Sequence, residues 1–314
     1  MPKNPHRKGE AKRRGPIRAP ASPVADPSGP KAGARGGPTG TLYVVATPIG
    51  NLEDITIRAI RILKEVSVIA AEDTRRTRIL LDQYQIATPL VSLYEYNELQ
   101  KSGALVSRLL AGEGIAYVSD AGTPGISDPG YILVREAISA GVRVVPVPGP
   151  SAVIAAISVS GLPMERFVFM GFLPSKTGKR RQLLLSVGEE TRTLVFYESP
   201  HRLQAALEDI AQLLGDREVV VSREMTKIHE EFLRGPAKAL VAELSGKSIK
   251  GELTLTVAGA TAKGTEYSDE ELLDCHERLL QEADEGLSLR DRADRIALET
   301  GVPRKRIYRL LLFP

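Results

Sequence analysis

The chain has 314 residues, long enough for two domains with their own cores, and its 42% hydrophobic content is ordinary for a folded protein. The one cysteine, Cys275, excludes a disulfide within the chain and a cysteine-rich metal site. The four histidines lack any paired metal-binding spacing, so no metal is expected. The net charge of +3 is unevenly spread, with +7 in residues 1–39 and therefore −4 in residues 40–314.

Residues 1–39 hold nine Lys and Arg against two acidic residues and are rich in Pro, Gly and Ala. Such a segment cannot bury enough apolar surface to offset the entropy of ordering it, so we expect a disordered basic tail. Binding to phosphate backbones and a merely solubilising role are equally good interpretations of it. No apolar signal-peptide core follows the basic start, which favours a cytoplasmic protein.

Residues 40–149 alternate short apolar runs with helical patterns. This alternation predicts an α/β domain around a parallel sheet. The predicted strands are 42–46, 66–70, 90–93, 115–118 and 142–147, and the predicted helices are 55–64, 74–83, 98–110 and 131–140.

Residues 150–262 form a second predicted α/β domain, and we place the ligand in the cleft between the two domains. Short connections between its strands indicate a mixed sheet. The uncharged residues 144–164 have the length of a membrane span, but prolines interrupt them, so a strand, a turn and a buried helix are expected there. The helix is predicted at 152–159 and the strands at 167–170, 193–197, 218–222, 230–234 and 253–258.

Two stiff loops follow strands of the first domain. Residues 119–130 read SDAGTPGISDPG, and residues 47–54 read TPIGNLED. Open α/β sheets bind their ligands at the carboxyl ends of their strands, which is where both loops lie. Neither loop has the glycine pattern of a dinucleotide site or a P-loop, so a small molecule without phosphate is favoured.

Residues 266–314 are predicted to be helical. Ser288 and Asp291 fit a capping box, and Gly301 fits the tight turn of a helix-turn-helix. The last helix carries Arg304, Lys305 and Arg306, which suit contact with RNA phosphates. A helical hairpin that packs on the protein itself, with solvated basic residues, is the alternative.

Seven segments in order resemble the ribosomal small subunit methyltransferase I family of tetrapyrrole-methylase-like enzymes. They read TPIGNLEDIT, AAEDTR, SDAGTPGISDPG, VPGPSA, YESPHR, REMTKIHEEFLRG and GELTLTVAG, and the resemblance covers residues 41–260 but not residues 1–39. It implies a two-domain class III S-adenosylmethionine methyltransferase with a C-terminal helix-turn-helix appendage. It further implies a homodimer that methylates the ribose 2′-hydroxyl of a cytidine in the decoding region of 16S rRNA, within the 30S subunit.

S-adenosylmethionine carries a sulfonium and no phosphate, which fits loops that offer backbone N–H and C=O groups. The resemblance implies that these loops wrap the cofactor mainly through their main chain. For Asp120, pairing with the cofactor's positive groups competes with a local Asx turn in its own loop. The predicted cofactor contacts are Pro48, Gly50, Asp120, Ala121, Gly122, Thr123, Ser127, Pro150, Ser151, Ala152, Glu252 and Leu253.

Methylation of a 2′-hydroxyl requires a group that removes or holds its proton. Asp73 is our first candidate, with Glu72 and Glu198 as others, because all three lie just after the carboxyl ends of predicted strands. Asp73 also fits the N-cap of the following helix, and Glu198 fits a salt bridge to Arg202. Lys227 is a candidate for stabilising an oxyanion or holding a phosphate.

Basic clusters near the predicted cleft suit RNA phosphates, although charged helix faces are commonly just solvated. Tyr94, Tyr96 and Tyr197 offer a minor contribution from base stacking. The predicted RNA contacts near the cleft are Arg75, Arg76, Arg78, Lys176, Lys179, Arg180 and Arg181.

Two other functions fit parts of the chain. A methyltransferase of the same fold acting on a tetrapyrrole or another small acceptor would keep its activity without residues 266–314. A non-enzymatic nucleic-acid-binding protein would not bind S-adenosylmethionine at all.

Overall fold

The computed structural model describes residues 39–261, 267–282 and 287–312. The expected disordered tail lies outside these ranges, apart from Thr39. No helix within the described ranges is long and apolar enough to cross a membrane.

The first sheet has five parallel strands in the order β3-β2-β4-β1-β5, which confirms the predicted α/β class. Successive residues of β2 point to opposite faces, so Ile69 packs with α1 and α2 while Val68 packs with α3 and α4. The strands are β1 (Thr41–Val45), β2 (Val68–Ala71), β3 (Leu90–Ser92), β4 (Ile115–Val118) and β5 (Arg143–Val147). The helices are α1 (Ile57–Glu65), α2 (Thr74–Gln83), α3 (Glu98–Leu110) and α4 (Tyr131–Ser139).

Helix α1 begins two residues later than the sequence predicts. A short 3-10 turn, Leu52–Asp54, precedes it. Thr56 then caps α1, because its side chain accepts a hydrogen bond from the Ala59 N–H at 3.1 Å. The hydroxyl satisfies one of the free N–H groups at the helix start, which sets the boundary.

The second sheet has the order β6-β7-β10-β8-β9 and is mixed, as predicted. β6 runs parallel to β7, and the other neighbouring pairs are antiparallel. Helices α6, α7 and α8 pack on one face, and α5 packs on the other. The strands are β6 (Phe167–Phe172), β7 (Thr193–Glu198), β8 (Glu218–Arg223), β9 (Glu231–Pro236) and β10 (Leu253–Val257). The helices are α5 (Ala152–Ser160), α6 (Thr177–Ser186), α7 (Leu203–Leu213) and α8 (Ala237–Leu244).

Three C-terminal helices, α9 (Asp269–Glu282), α10 (Leu289–Thr300) and α11 (Arg304–Leu312), share a small core of their own. Ile296 and Ile307 are fully buried in it. Gly301 joins α10 to α11 with a left-handed φ of 70°. The predicted capping box is present, because Ser288 and Asp291 bond to each other's backbone N–H groups. Helix α10, the turn at Gly301 and helix α11 follow one another along the chain where the sequence predicts them.

Ser288→Ala removes that cap and is expected to cost about 1 kcal/mol of stability in α10. The loss should appear as faster hydrogen exchange of the amides in its first turn. Ser107→Ala is a matched control, because the Ser107 hydroxyl is exposed and, among the described residues, bonds only to the Gly103 carbonyl within α3. Equal exchange in the Ser288 variant and the wild type would show that the cap contributes nothing.

Candidate active site

The loops that follow β1, β4 and β5 pack together at one edge of the first sheet. β1 lies between β4 and β5, so the three loops leave neighbouring strands. Thr47 and Gly122 exchange two backbone hydrogen bonds of 2.9 Å, and Thr123 Oγ1 donates to the Pro150 carbonyl at 3.2 Å. Gly122 has φ 77°, which glycine adopts readily. The two loops that the sequence singles out are therefore bonded directly to each other.

A cavity of about 430 Å³ lies between these loops and the edge of the second sheet, a volume typical of a small-molecule site. Its lining combines loops that present backbone N–H and C=O groups, several carboxylates and an apolar wall. From the first sheet's side and the start of α5 come Ile49, Glu72, Arg76, Asp120, Ala121, Gly122, Thr123, Ile126, Ser127, Asp128, Ser151 and Ala152. From the second sheet's side come Phe172, Tyr197, Glu198, Ser199, Pro200, Met225, Gly251, Glu252, Leu253 and Thr254.

Nine of the twelve predicted cofactor residues line this cavity, and Pro48, Gly50 and Pro150 do not. Pro48 is buried, and the Pro150 carbonyl bonds to Thr123. Gly50 lies against the loop after β8, since a Cβ built on it would be 2.5 Å from Lys227 Cγ. Gly50 and Pro150 therefore contact neighbouring loops and not the cavity.

The Asp120 carboxylate connects two loops of the first sheet. Its Oδ1 accepts the Asp73 N–H at 2.9 Å, and its Oδ2 lies 3.3 Å from Arg76 NH1. The local Asx turn considered from the sequence is therefore not its role. Asp120 also lines the cavity, where its negative charge suits a cationic ligand.

Asp73 is the N-cap of α2 and does not line the cavity. Side-chain and backbone hydrogen bonds from Arg75 lower the pKa of Asp73 to about 2. A carboxylate with so low a pKa is a poor proton acceptor near neutral pH. The helix-capping role that the sequence also allowed is the one the structure shows, and the low pKa makes Asp73 a weaker candidate base than the cavity carboxylates.

Asp128 and Glu72 are two of the cavity carboxylates whose pKa is raised, and Glu198 is a third. Burial raises the pKa of Asp128 to about 6, against a hydrogen bond from Ser119 that lowers it. Burial also raises the pKa of Glu72, with further contributions from Asp128 and Asp120. Sequence reasoning missed Asp128, although its place in the loop after β4 was a usable signal. No group of three or more potential metal ligands occurs in the described ranges.

Glu198 lines the cavity while its side chain is buried. Its Oε1 accepts the Ser199 N–H and pairs with Arg202, both at 2.6 Å, as the salt-bridge interpretation predicts. Its Oε2 is buried and has no hydrogen-bond partner among the described residues. Because burial raises the pKa of Glu198, this carboxyl group is suited to a hydrogen bond with a ligand.

Lys227 lies beside the cavity and not in its lining. Its Nζ bonds to Glu224 at 2.7 Å and to Glu252 at 3.1 Å. The lysine therefore positions Glu252, which does line the cavity, and two of its three N–H donors are already engaged in these ion pairs.

Phe172, Tyr197 and Met225 give the cavity an apolar wall that the sequence did not predict. The Tyr197 ring centroid lies 5.0 Å from that of Phe169 and 5.3 Å from that of Phe172. Such packed rings suit a flat aromatic group such as adenine. Sequence reasoning considered Tyr197 only for base stacking with RNA.

The predicted RNA contacts differ in accessibility. Arg75, Arg76, Lys176 and Lys179 are exposed, although Arg75 pairs with Asp73 and Arg76 with Asp120. Lys305 is exposed on α11, whereas Arg304 pairs with Asp294 and Arg306 with Asp269.

Arg180 must be removed from the predicted RNA contacts. It is 4% exposed, and its Nε bonds to Asp209 at 2.8 Å. Arg181 bonds to the same carboxylate at 2.7 Å and is half-buried. A buried charge that already has its partner cannot reach a phosphate without breaking the packing between α6 and α7.

Comparison with known proteins agrees with this architecture. A family model described as Tetrapyrrole (Corrin/Porphyrin) Methylases matches residues 41–241. The crystal structure of the methyltransferase CobJ superposes with a TM-score of 0.55 at 18% identity, covering 71% of this chain and 95% of that one. Fold, family model and cavity together define a class III methyltransferase, as the sequence predicted.

Closer relatives identify the family. A Synechocystis protein is 46% identical over 275 residues, covering 87% of this chain and 98% of its own. A Pseudomonas aeruginosa protein is 48% identical over 278 residues, covering 87% and 97%. Both are named ribosomal RNA small subunit methyltransferase I. The chain belongs to that family, within the tetrapyrrole methylases, whose methyl donor is S-adenosylmethionine.

The residues present fit that cofactor. The cavity offers backbone groups from the loops after β1, β4 and β5, carboxylates for its positive charges and an aromatic wall for adenine. The free Glu198 Oε2 is a buried acceptor without a partner among the described residues, which a bound polar ligand would satisfy.

Proposed function

We propose that this enzyme methylates the ribose 2′-hydroxyl of a cytidine in the decoding region of 16S rRNA. The observation that carries the proposal is the 46–48% identity to relatives named for the small subunit rRNA, over nearly their whole length. The sequence segments that resemble this family also supply the cavity loops.

The loops after β1, β4 and β5 would hold S-adenosylmethionine, with Glu252 and Leu253 beside its adenine. When bound, the cofactor supplies a methyl group on a sulfonium, which is a strong leaving group. Asp120 and Asp128 place negative charge in the cavity, which favours a cation there. Glu198 Oε2 accepts a hydrogen bond from the ligand.

Asp128 takes the proton from the 2′-hydroxyl in this proposal. A base works best when its pKa lies near the working pH, and the pKa of about 6 puts Asp128 closer to neutrality than an ordinary aspartate. Glu72 lies close enough for the two carboxylates to influence each other's titration. Glu72 and Glu198 remain the further acidic candidates in the cavity, and Lys227 positions Glu252.

We further propose that residues 40–149 and 150–262 act as two α/β domains and residues 266–314 as the appendage, in a cytoplasmic homodimer working on the 30S subunit. α5 supports the dimer, because it has no charged residue yet leaves Ile154 and Val159 54% and 44% exposed. A second copy would cover this face. Lys305 and the exposed basic residues around the cavity would contact phosphates.

The test is transfer of a labelled methyl group to naked 16S rRNA and to 30S subunits, with nucleoside mass spectrometry of the product. We expect 2′-O-methylcytidine. If the cofactor binds but neither RNA is labelled, the rRNA assignment fails and a tetrapyrrole or another small acceptor takes its place. If calorimetry shows no cofactor binding, the non-enzymatic alternative returns.

A further inference from the structure

Large apolar side chains are exposed in the turn between β3 and α3. Tyr94 and Tyr96 are 42% and 90% exposed, and Leu99 in the first turn of α3 is 69% exposed. Single exposed apolar residues are normal on protein surfaces, but three within six positions form a patch that suggests a binding site. None of the three lines the cavity.

The turn that carries these side chains is held by its own hydrogen bonds. The Tyr94 N–H donates to Asn97 Oδ1 at 2.9 Å, and the Tyr94 carbonyl accepts the N–H groups of Asn97 and Glu98, both at 2.9 Å. Lys101 Nζ donates to the Ser92 carbonyl at 2.9 Å and fixes the end of β3. Tyr96 therefore projects from a fixed backbone and loses little freedom when it binds a partner.

Glu98 connects the same turn to the loop of residues 119–130. It is 5% exposed, and its Oε1 accepts the N–H groups of Gly130, Ile132 and Leu133 at 3.0, 2.8 and 3.1 Å. Gly130 ends the loop that contains Asp128. A buried carboxylate thus fixes the exposed tyrosines relative to the proposed base.

Basic side chains lie on the helices that flank the turn, while the turn itself carries the exposed Glu95. β2 pairs in parallel with β3, with Ala71 opposite Ser92, so α2, which carries the exposed Arg78, begins after the strand next to the turn. On the other side, α4 begins with Tyr131, which is 70% exposed and has the Arg135 guanidinium 5.4 Å from its ring centroid. Exposed aromatic rings next to cations are the chemistry that binds unpaired nucleotides.

We propose that Tyr96, with Tyr94 and Leu99 beside it, stacks on an unpaired rRNA base flanking the target nucleotide, while Arg78 contacts the phosphate backbone. This inference rests on the proposed rRNA methyltransferase function and adds where the neighbouring nucleotide binds. Stacking on an exposed ring requires no particular base, so the surface would hold the strand while the cavity selects the target.

The experiment compares Tyr96→Ala, Tyr96→Phe and Leu110→Ala, measuring KM for 30S subunits, KM for S-adenosylmethionine and 30S binding by sedimentation. Leu110 is a matched control, because it is a partly exposed apolar residue at the other end of α3. We expect Tyr96→Ala to raise the KM for 30S subunits about 5- to 150-fold, because the variant loses one base–aromatic stack. The KM for the cofactor should not change, and Tyr96→Phe and Leu110→Ala should resemble the wild type.

The outcomes separate this inference from the function on which it rests. If wild-type enzyme neither binds nor methylates 30S subunits, the proposed function fails and the stacking surface with it. If the wild type is active and Tyr96→Ala retains its KM for 30S subunits, only the stacking surface is refuted. A changed oligomeric state of Tyr96→Ala in analytical ultracentrifugation would instead assign this patch to contact between two copies of the chain.

Discussion

Asp128→Asn is expected to slow methyl transfer to 30S subunits by about 100- to 10,000-fold, the usual contribution of a general base. Asparagine keeps the size of the side chain but cannot accept the proton of the 2′-hydroxyl. Cofactor binding should weaken but persist, because Asp120 keeps its negative charge in the cavity and the loops that border it keep their mutual hydrogen bonds. Single-turnover rates with saturating cofactor, together with calorimetry, measure the two effects separately.

The pH dependence of the wild type should report the same group. Burial raises the pKa of Asp128 to about 6, and only its ionised form accepts a proton. kcat/KM should therefore rise with pH through about 6 and level off above it, and Asp128→Asn should lose this rise. Bound S-adenosylmethionine is a cation and stabilises the ionised carboxylate of Asp128. The rise of kcat with pH should therefore lie at lower pH than the rise of kcat/KM.

Asp73→Asn is the matched control for this prediction. Asparagine caps helices as well as aspartate does, so α2 should keep its N-cap. Because Asp73 does not line the cavity, we expect its variant to methylate at nearly the wild-type rate. If Asp73→Asn lost its activity and Asp128→Asn kept it, the assignment of the base would return to Asp73.

The order of strands and helices and the position of the cavity loops follow from the sequence, because they depend on local patterns. Apolar runs alternate with helical periodicity, and parallel strands bring the loops at their carboxyl ends to one edge. The capping box at Ser288 and the turn at Gly301 are likewise local, since their partners lie within a few residues.

Side-chain roles that depend on distant partners did not follow from the sequence. Asp73 and Asp128 both lie in segments after strands, and only the fold shows that one caps a helix while the other faces the cavity. Arg180 sits in a run of basic residues, but its partner Asp209 is 29 positions away on α7. The three amides that Glu98 binds lie 32 to 35 positions further along the chain.

Gly130→Ala is expected to lower the free energy of unfolding by about 2–6 kcal/mol, since overpacking and backbone strain each cost about 1–3 kcal/mol. Gly130 has φ 121°, and a Cβ built on it would be 2.3 Å from Tyr117 Cε1. Tyr117 cannot move aside easily, because it is fully buried and its hydroxyl donates to the Pro129 carbonyl at 2.7 Å. Urea unfolding monitored by circular dichroism measures the loss.

Gly141→Ala separates the two causes of this loss. Gly141 also has a positive φ, 73°, but a Cβ there would meet nothing within 4 Å. Gly141→Ala should therefore lower the free energy of unfolding through backbone strain alone. Adding Tyr117→Leu should reduce the cost of Gly130→Ala in a double-mutant cycle, because the shorter side chain makes room for the methyl group. Equal losses in the Gly130 and Gly141 variants would show that Tyr117 does not press on this loop.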